Sequence, residues 1–200
     1  MTENPFTYFD EVLEFRASLS AETDRGCALM AAAYLADQLE RLLRRTFVDD
    51  TTAIDELFRP LAPLGSYSSR IELCYALGLL PDRAKRDLHL IRKIRNDFGH
   101  VAKTLTFDEP GIAARCRELH HTGRVTDVSP RQHFTSAVMG VCAVVHFSIH
   151  KAPQRRDVPR DVTVTEERKR ELQDFIEKVG LEVARDFGLL EDPRPKKPNA

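Results

Sequence analysis

Arg95, Asn96 and His100 are the three side chains in this sequence whose types and spacing can carry chemistry together. They close the run Leu88-His89-Leu90-Ile91-Arg92-Lys93-Ile94-Arg95-Asn96-Asp97-Phe98-Gly99-His100, in the pattern R-N-x-x-x-H. An imidazole titrating near neutral pH can accept a hydroxyl proton or return one to a leaving oxygen, and a guanidinium can stabilise charge on a phosphorane. His89, Arg92, Lys93 and Lys103 add donors and positive charge around the triplet. From Asp82 to Asn96 the bases are Arg83, Lys85, Arg86, Arg92, Lys93 and Arg95, against only Asp82 and Asp87, which makes this stretch the best candidate for an anion-binding surface. The plainer reading is a solvated helix face neutralised by acids elsewhere.

A helix must position these groups. At about 100° per residue, Leu88, Ile91, Ile94, Phe98, Val101 and Leu105 share an arc roughly 140° wide, the signature of a helix buried on one side. His89, Lys93, Asn96, His100 and Lys103 follow at spacings of three and four on the far side. Arg95 falls on the edge of the apolar arc, where a guanidinium requires a carboxylate, phosphate or carbonyl partner. A structural role would pair Arg95 with Glu72 or Asp55 and leave Asn96 to cap or bridge helices. Gly99, inside the helix and just before His100, points either to close approach by a backbone or ligand or to simple tolerance.

The R-N-x-x-x-H element resembles the signature of HEPN domains, helical proteins many of which are metal-independent ribonucleases working as dimers. That resemblance implies catalytic roles for Arg95 and His100, with Asn96 in support. The two groups lie roughly 140° apart around one helix, so an active site would need a second copy of the chain. A broader resemblance covers Ser69-Arg70-Ile71-Glu72-Leu73-Cys74-Tyr75-Ala76-Leu77-Gly78-Leu79-Leu80-Pro81, the helix after it, the upstream Ala53-Ile54-Asp55-Glu56-Leu57-Phe58 and the turn Pro60 to Ser66. These are similar to the mannitol operon repressor family. The resemblance implies an all-helical regulator of transcription, acting through a protein partner or nucleic acid, with a homodimer as the expected assembly. An endoribonuclease is the alternative.

Composition narrows the field. With 42% hydrophobic and 30% charged residues in a 200-residue chain, one sizeable core is expected. The formal net charge of −1 gives no overall argument for nucleic acid. Cys27, Cys74, Cys116 and Cys142 lack any C-x-x-C pairing and read as buried thiols of a reducing compartment. His146 and His150 stand four apart, but Phe147 replaces the glutamate of a zincin motif, so no metal is assigned. No cofactor motif is present. The start of the chain has no signal-like segment and no apolar run reaches the ~18 residues of a membrane span, so a cytoplasmic protein without membrane attachment is expected.

The fold reads as all-α, a multi-helix bundle of about six to eight helices. A short helix runs from Phe6 to about Ser18. Ser20 or Thr23 caps a long alanine-rich helix reaching about Phe47, expected at the centre of the bundle. Ala53–Phe58 forms a short helix, Ser66 or Ser68 caps the next, and Gly78 closes it as a left-handed C-cap. A helix with acids in its first turn ends near His120, and Ser129 or Pro130 opens the apolar helix expected to be the most buried. A last helix from Thr165 to about Phe187 presents Leu172, Phe175, Ile176, Val179, Val183 and Phe187 as its inner face, with Gly188 as a stop. Residues 1–190 are expected as one domain and 191–200 as a disordered tail.

Overall fold

The computed structural model describes residues 5–100, 104–123, 128–152, 157–159 and 164–190, the side chains of 5–10 and of residue 100 excepted. Eight α-helices and no β-strand make up the described residues, as the hydrophobic periodicity required. They are α1 (Pro5–Ala21), α2 (Asp24–Thr46), α3 (Thr51–Phe58), α4 (Tyr67–Ala76), α5 (Asp82–His100), α6 (Pro110–Arg117), α7 (Pro130–Lys151) and α8 (Glu166–Asp186). The chain divides into two compact units, 1–158 with α1 to α7, and 159–200 with α8.

In the first unit α2 packs against α1, α4, α5 and α7, the central position its alanines suggested. Cys27, Ala28, Ala31, Leu35, Leu39 and Leu42 are fully buried along it. Small residues let neighbouring helices approach closely. From α5, Leu88, Ile91, Ile94 and Phe98 meet this face, and α7 adds Phe134, Ala137, Val138, Val141 and Val145. Phe98, Phe107 and Phe134 form a ladder with ring centroids 5.0 and 4.9 Å apart, joining α5, the segment before α6, and α7. In length and composition α7 resembles a membrane-crossing helix. Its buried face within this core explains that apolarity.

Local signals end and start the helices where the sequence put them. Thr23 accepts from Gly26 N–H at 3.0 Å, and Ser66 accepts from Ser69 N–H at 3.0 Å. Ser129 forms a reciprocal capping box with Gln132. Gly78 has φ +70°, the left-handed conformation that lets α4 turn into α5. At Gly99 a Cβ would meet nothing within 4 Å among the described residues. Close approach does occur at Gly140, where a Cβ would clash with the His121 carbonyl oxygen.

In the second unit α8 is capped by Thr165, whose hydroxyl accepts from Arg168 N–H at 3.3 Å, and Gly188 follows its end with φ +70°. Its expected inner face is exposed: none of its residues is buried, Phe175 and Ile176 included. Within that unit no second described helix is available to cover the stripe.

Candidate functional site

The polar side of α5 opens onto two clefts of different character. The first, about 550 Å³, involves Asp82, Lys85, Arg86, His89, Lys93 and Glu118. Two of its side chains, Lys85 and His89, are already engaged. Glu72 of α4 accepts from Lys85 Nζ at 2.8 Å and pairs with His89 Nε2 at 2.8 Å. The Lys85 hydrogen bond, then that of His89, holds the Glu72 carboxyl below the usual carboxylate range, and the same contact raises the Lys85 ammonium. Lys85 also stands 4.3 Å over the Tyr75 ring.

The second cleft, about 330 Å³, lies farther along α5, where Arg92, Arg95 and Asn96 face Ser66, Tyr67 and Ser68 at the start of α4. Ala32, Ala33 and Ala36 of α2 contribute an apolar wall. Arg95 is exposed and donates from Nη1 to Asn96 Oδ1 at 3.1 Å.

The candidate residues therefore fall into two groups: His89 and Lys93 in the first cleft, and Arg92, Arg95 and Asn96 in the second. His100 is the last residue of α5, and its side chain lies outside the described residues, as does all of Lys103. Among the described residues, neither carboxylate that a structural role would give Arg95 pairs with it. Asp55 is held by Arg44 at 2.7 Å and Glu72 by Lys85 and His89, so neither is available. Arg95 needs none, because its position on the edge of the stripe leaves it in solvent rather than in the core.

Sequence reasoning missed Asp87. Its side chain is fully buried and accepts from the backbone N–H of His120 at 3.0 Å and of His121 at 2.9 Å. The Nδ1 atoms of His120 and His121 stand 3.2 and 2.6 Å from its two oxygens. One carboxylate thus ties α5 to the segment between α6 and α7, and Gly140 lets α7 close against that segment. The signal was present: an acid four residues before Ile91 sits on the apolar stripe, and a carboxylate there must be bonded. That Tyr67 and Ser68 share a cleft with Arg92 was also missed, since only tertiary packing brings α4 beside the middle of α5.

Elsewhere the chemistry is quiet. Cys27, Cys74, Cys116 and Cys142 are buried free thiols, and burial pushes Cys27 up to about 11 and the other three to about 12. His146 and His150 pack edge to face, 4.3 Å between ring centroids. Among the described residues no cluster of three or more histidine, cysteine, aspartate or glutamate side chains is arranged for a metal.

Fold and site together define an all-helical bundle with a cationic flank on its central helix. The mannitol repressor family model matches residues 9–145, which run from α1 into α7, and the chain belongs to that family. It is 27% identical over 105 residues to the mannitol operon repressors of Escherichia coli strains K12 and O6:H1. That alignment covers 50% of this chain and 54% of each relative, so the chain spans about half the length of the curated relatives it matches. The crystal structure of the MtlR–HPr complex from Escherichia coli superposes with a TM-score of 0.53 at 22% identity, over 70% of this chain and 96% of the other, and shares the fold. These matches favour the repressor resemblance over the ribonuclease one.

Proposed function

We propose that this protein is a cytoplasmic regulator of transcription that works by binding a protein partner, with no catalytic turnover. The family match over residues 9–145 carries this reading, because it spans the elements that build both clefts of α5. The structural neighbour is a complex with the protein HPr. An HPr-type protein presenting acidic groups is the partner we assign here, and the Arg86–Lys93 side of α5 is its contact surface. Both residues are exposed, and neither is engaged in an ion pair among the described residues, so they remain available to an incoming carboxylate. Rim charges of this kind govern association rate and salt dependence.

The test is calorimetric titration with HPr from the same organism. Saturable binding that weakens with salt and drops in Lys93→Glu and Arg86→Glu is the expected result. Absence of binding to HPr, together with sequence-specific retardation of operator DNA by the protein alone, would replace the partner reading with direct DNA recognition. Sedimentation of the same sample reads whether the chain is the homodimer its family resemblance implies.

A further inference from the structure

Arg92 departs from the usual pairing of arginines in this bundle. Arg44 meets Glu40 and Asp55, Arg70 meets Glu40, Arg115 meets Asp97, and Arg131 meets Asp24. Arg70 and Arg131 also donate to backbone carbonyls. Arg92 has no hydrogen-bond or ion-pair partner among the described residues, although its Nε is buried. The Nε of Arg45, the hydroxyl of Tyr67 and the Nε2 of His133 share that condition, and two of these four atoms, on Arg92 and Tyr67, belong to the same cleft. Withdrawing a guanidinium nitrogen and a phenol from water without replacement bonds is costly, and native structures seldom leave such groups idle.

The surroundings state what would satisfy them. The second cleft contains two arginines and no acid, whereas the first contains Asp82 and Glu118 beside its bases. It also receives the N-terminus of α4, ten residues long, where Ser66 already caps Ser69 N–H and leaves the N–H groups of Tyr67 and Ser68 without intrahelical acceptors. Two guanidiniums, a helix N-terminus and a buried hydroxyl donor make a site for a compact anion with several acceptor oxygens. The alanines of α2 add a wall suited to a short carbon skeleton, and about 330 Å³ lies at the small end of ligand cavities.

We infer that the cleft between α2, α4 and α5 binds a small phosphate monoester, its phosphate held by Arg92, Arg95 and the start of α4. A regulator with such a site reads a phosphorylated metabolite directly. Asn96 holds Arg95 by their hydrogen bond and so orients the second guanidinium toward the ligand.

The experiment uses the full chain alone, without any protein partner, so its outcome is independent of the regulator reading. Glycerol 3-phosphate and inorganic phosphate are titrated at constant ionic strength, with glycerol as the uncharged control, and binding is followed by calorimetry and thermal shift. Saturable binding of glycerol 3-phosphate, and none of glycerol, is expected. Arg92→Gln and Arg95→Gln should each weaken it by about tenfold or more, while Arg83→Gln, exposed on α5 and outside both clefts, should leave it unchanged. Arg95 is solvent-exposed, so Arg95→Gln keeps the test valid should Arg92→Gln fold poorly. No saturable binding of either phosphate, or binding that survives in both cleft variants, overturns the assignment.

Discussion

Asp87 and Arg92 lie five residues apart on α5, and each carries a charge into the protein, yet their surroundings are opposite. Asp87 is fully buried and receives four contacts, two from backbone N–H groups and two from imidazoles. Arg92 has a buried Nε and no protein partner among the described residues. A saturated buried charge is scaffold: its bonds are complete without anything from outside. An unsaturated one facing a cleft is a request for a ligand.

The comparison fails most visibly if Asp87 is dispensable. Asp87→Ala removes the acceptor for two backbone N–H groups and two imidazoles, and should cost about 3–5 kcal/mol in urea unfolding. Asp87→Asn keeps one acceptor oxygen and should cost less. A loss under about 1 kcal/mol for the alanine variant would mean that water replaces the carboxylate and that the site is not scaffold. Next in size is Gly140→Ala, which forces a methyl against the carbonyl of His121, the residue whose N–H and imidazole contact Asp87. A cost of about 1–3 kcal/mol is expected, read as a lower melting temperature.

The scaffold half of this contrast was partly legible in the sequence. The α5 stripe follows from a period of 3.6, and the caps at Thr23, Ser66 and Ser129 and the turn at Gly78 follow from local backbone chemistry. These are interactions within a few residues. The Asp87 network joins residues 33 and 34 positions apart, and its acceptor was read as one more helix charge. The candidate site was legible in its residue types but not in its grouping. Arg92, Arg95 and Asn96 were visible, whereas their union with Ser66, Tyr67 and Ser68 depends on how α4 crosses α5. Whether Arg95 would meet a carboxylate was not legible, because a wheel position on the edge of a stripe does not report how far the neighbouring helix extends over it.

The thiols extend the contrast to groups that are buried because they are neutral. Their folded-state values, about 11 for Cys27 and about 12 for Cys74, Cys116 and Cys142, lie above the ordinary thiol value because burial disfavours the thiolate. For a raised acid the stabilisation is intact below the unfolded value and is lost as pH rises toward the folded one. Stability should therefore fall as pH rises from about 9 toward the folded values, about 11 for Cys27 and about 12 for the other three thiols. Urea midpoints across that range, measured for the native chain and for Cys142→Ala, provide the check: the variant should lose stability less steeply by one thiol's share. Identical slopes would show that Cys142 does not resist ionisation in the folded protein.

The smallest expected effect is the most telling for the cleft. If Arg92 served the fold, Arg92→Gln would destabilise the ligand-free protein by several kcal/mol, as removal of a bonded buried charge does. With no partner to orphan, the substitution should instead change the unfolding free energy by no more than about 0.5 kcal/mol, or raise it slightly by relieving an unpaired buried donor. Arg95→Ala should behave the same way, since its one bond is to its exposed neighbour Asn96. Equilibrium urea unfolding without phosphate in the buffer decides it. A loss of about 2 kcal/mol or more for Arg92→Gln would place this guanidinium with Asp87 among the structural charges, and the difference between these two positions on α5 would disappear.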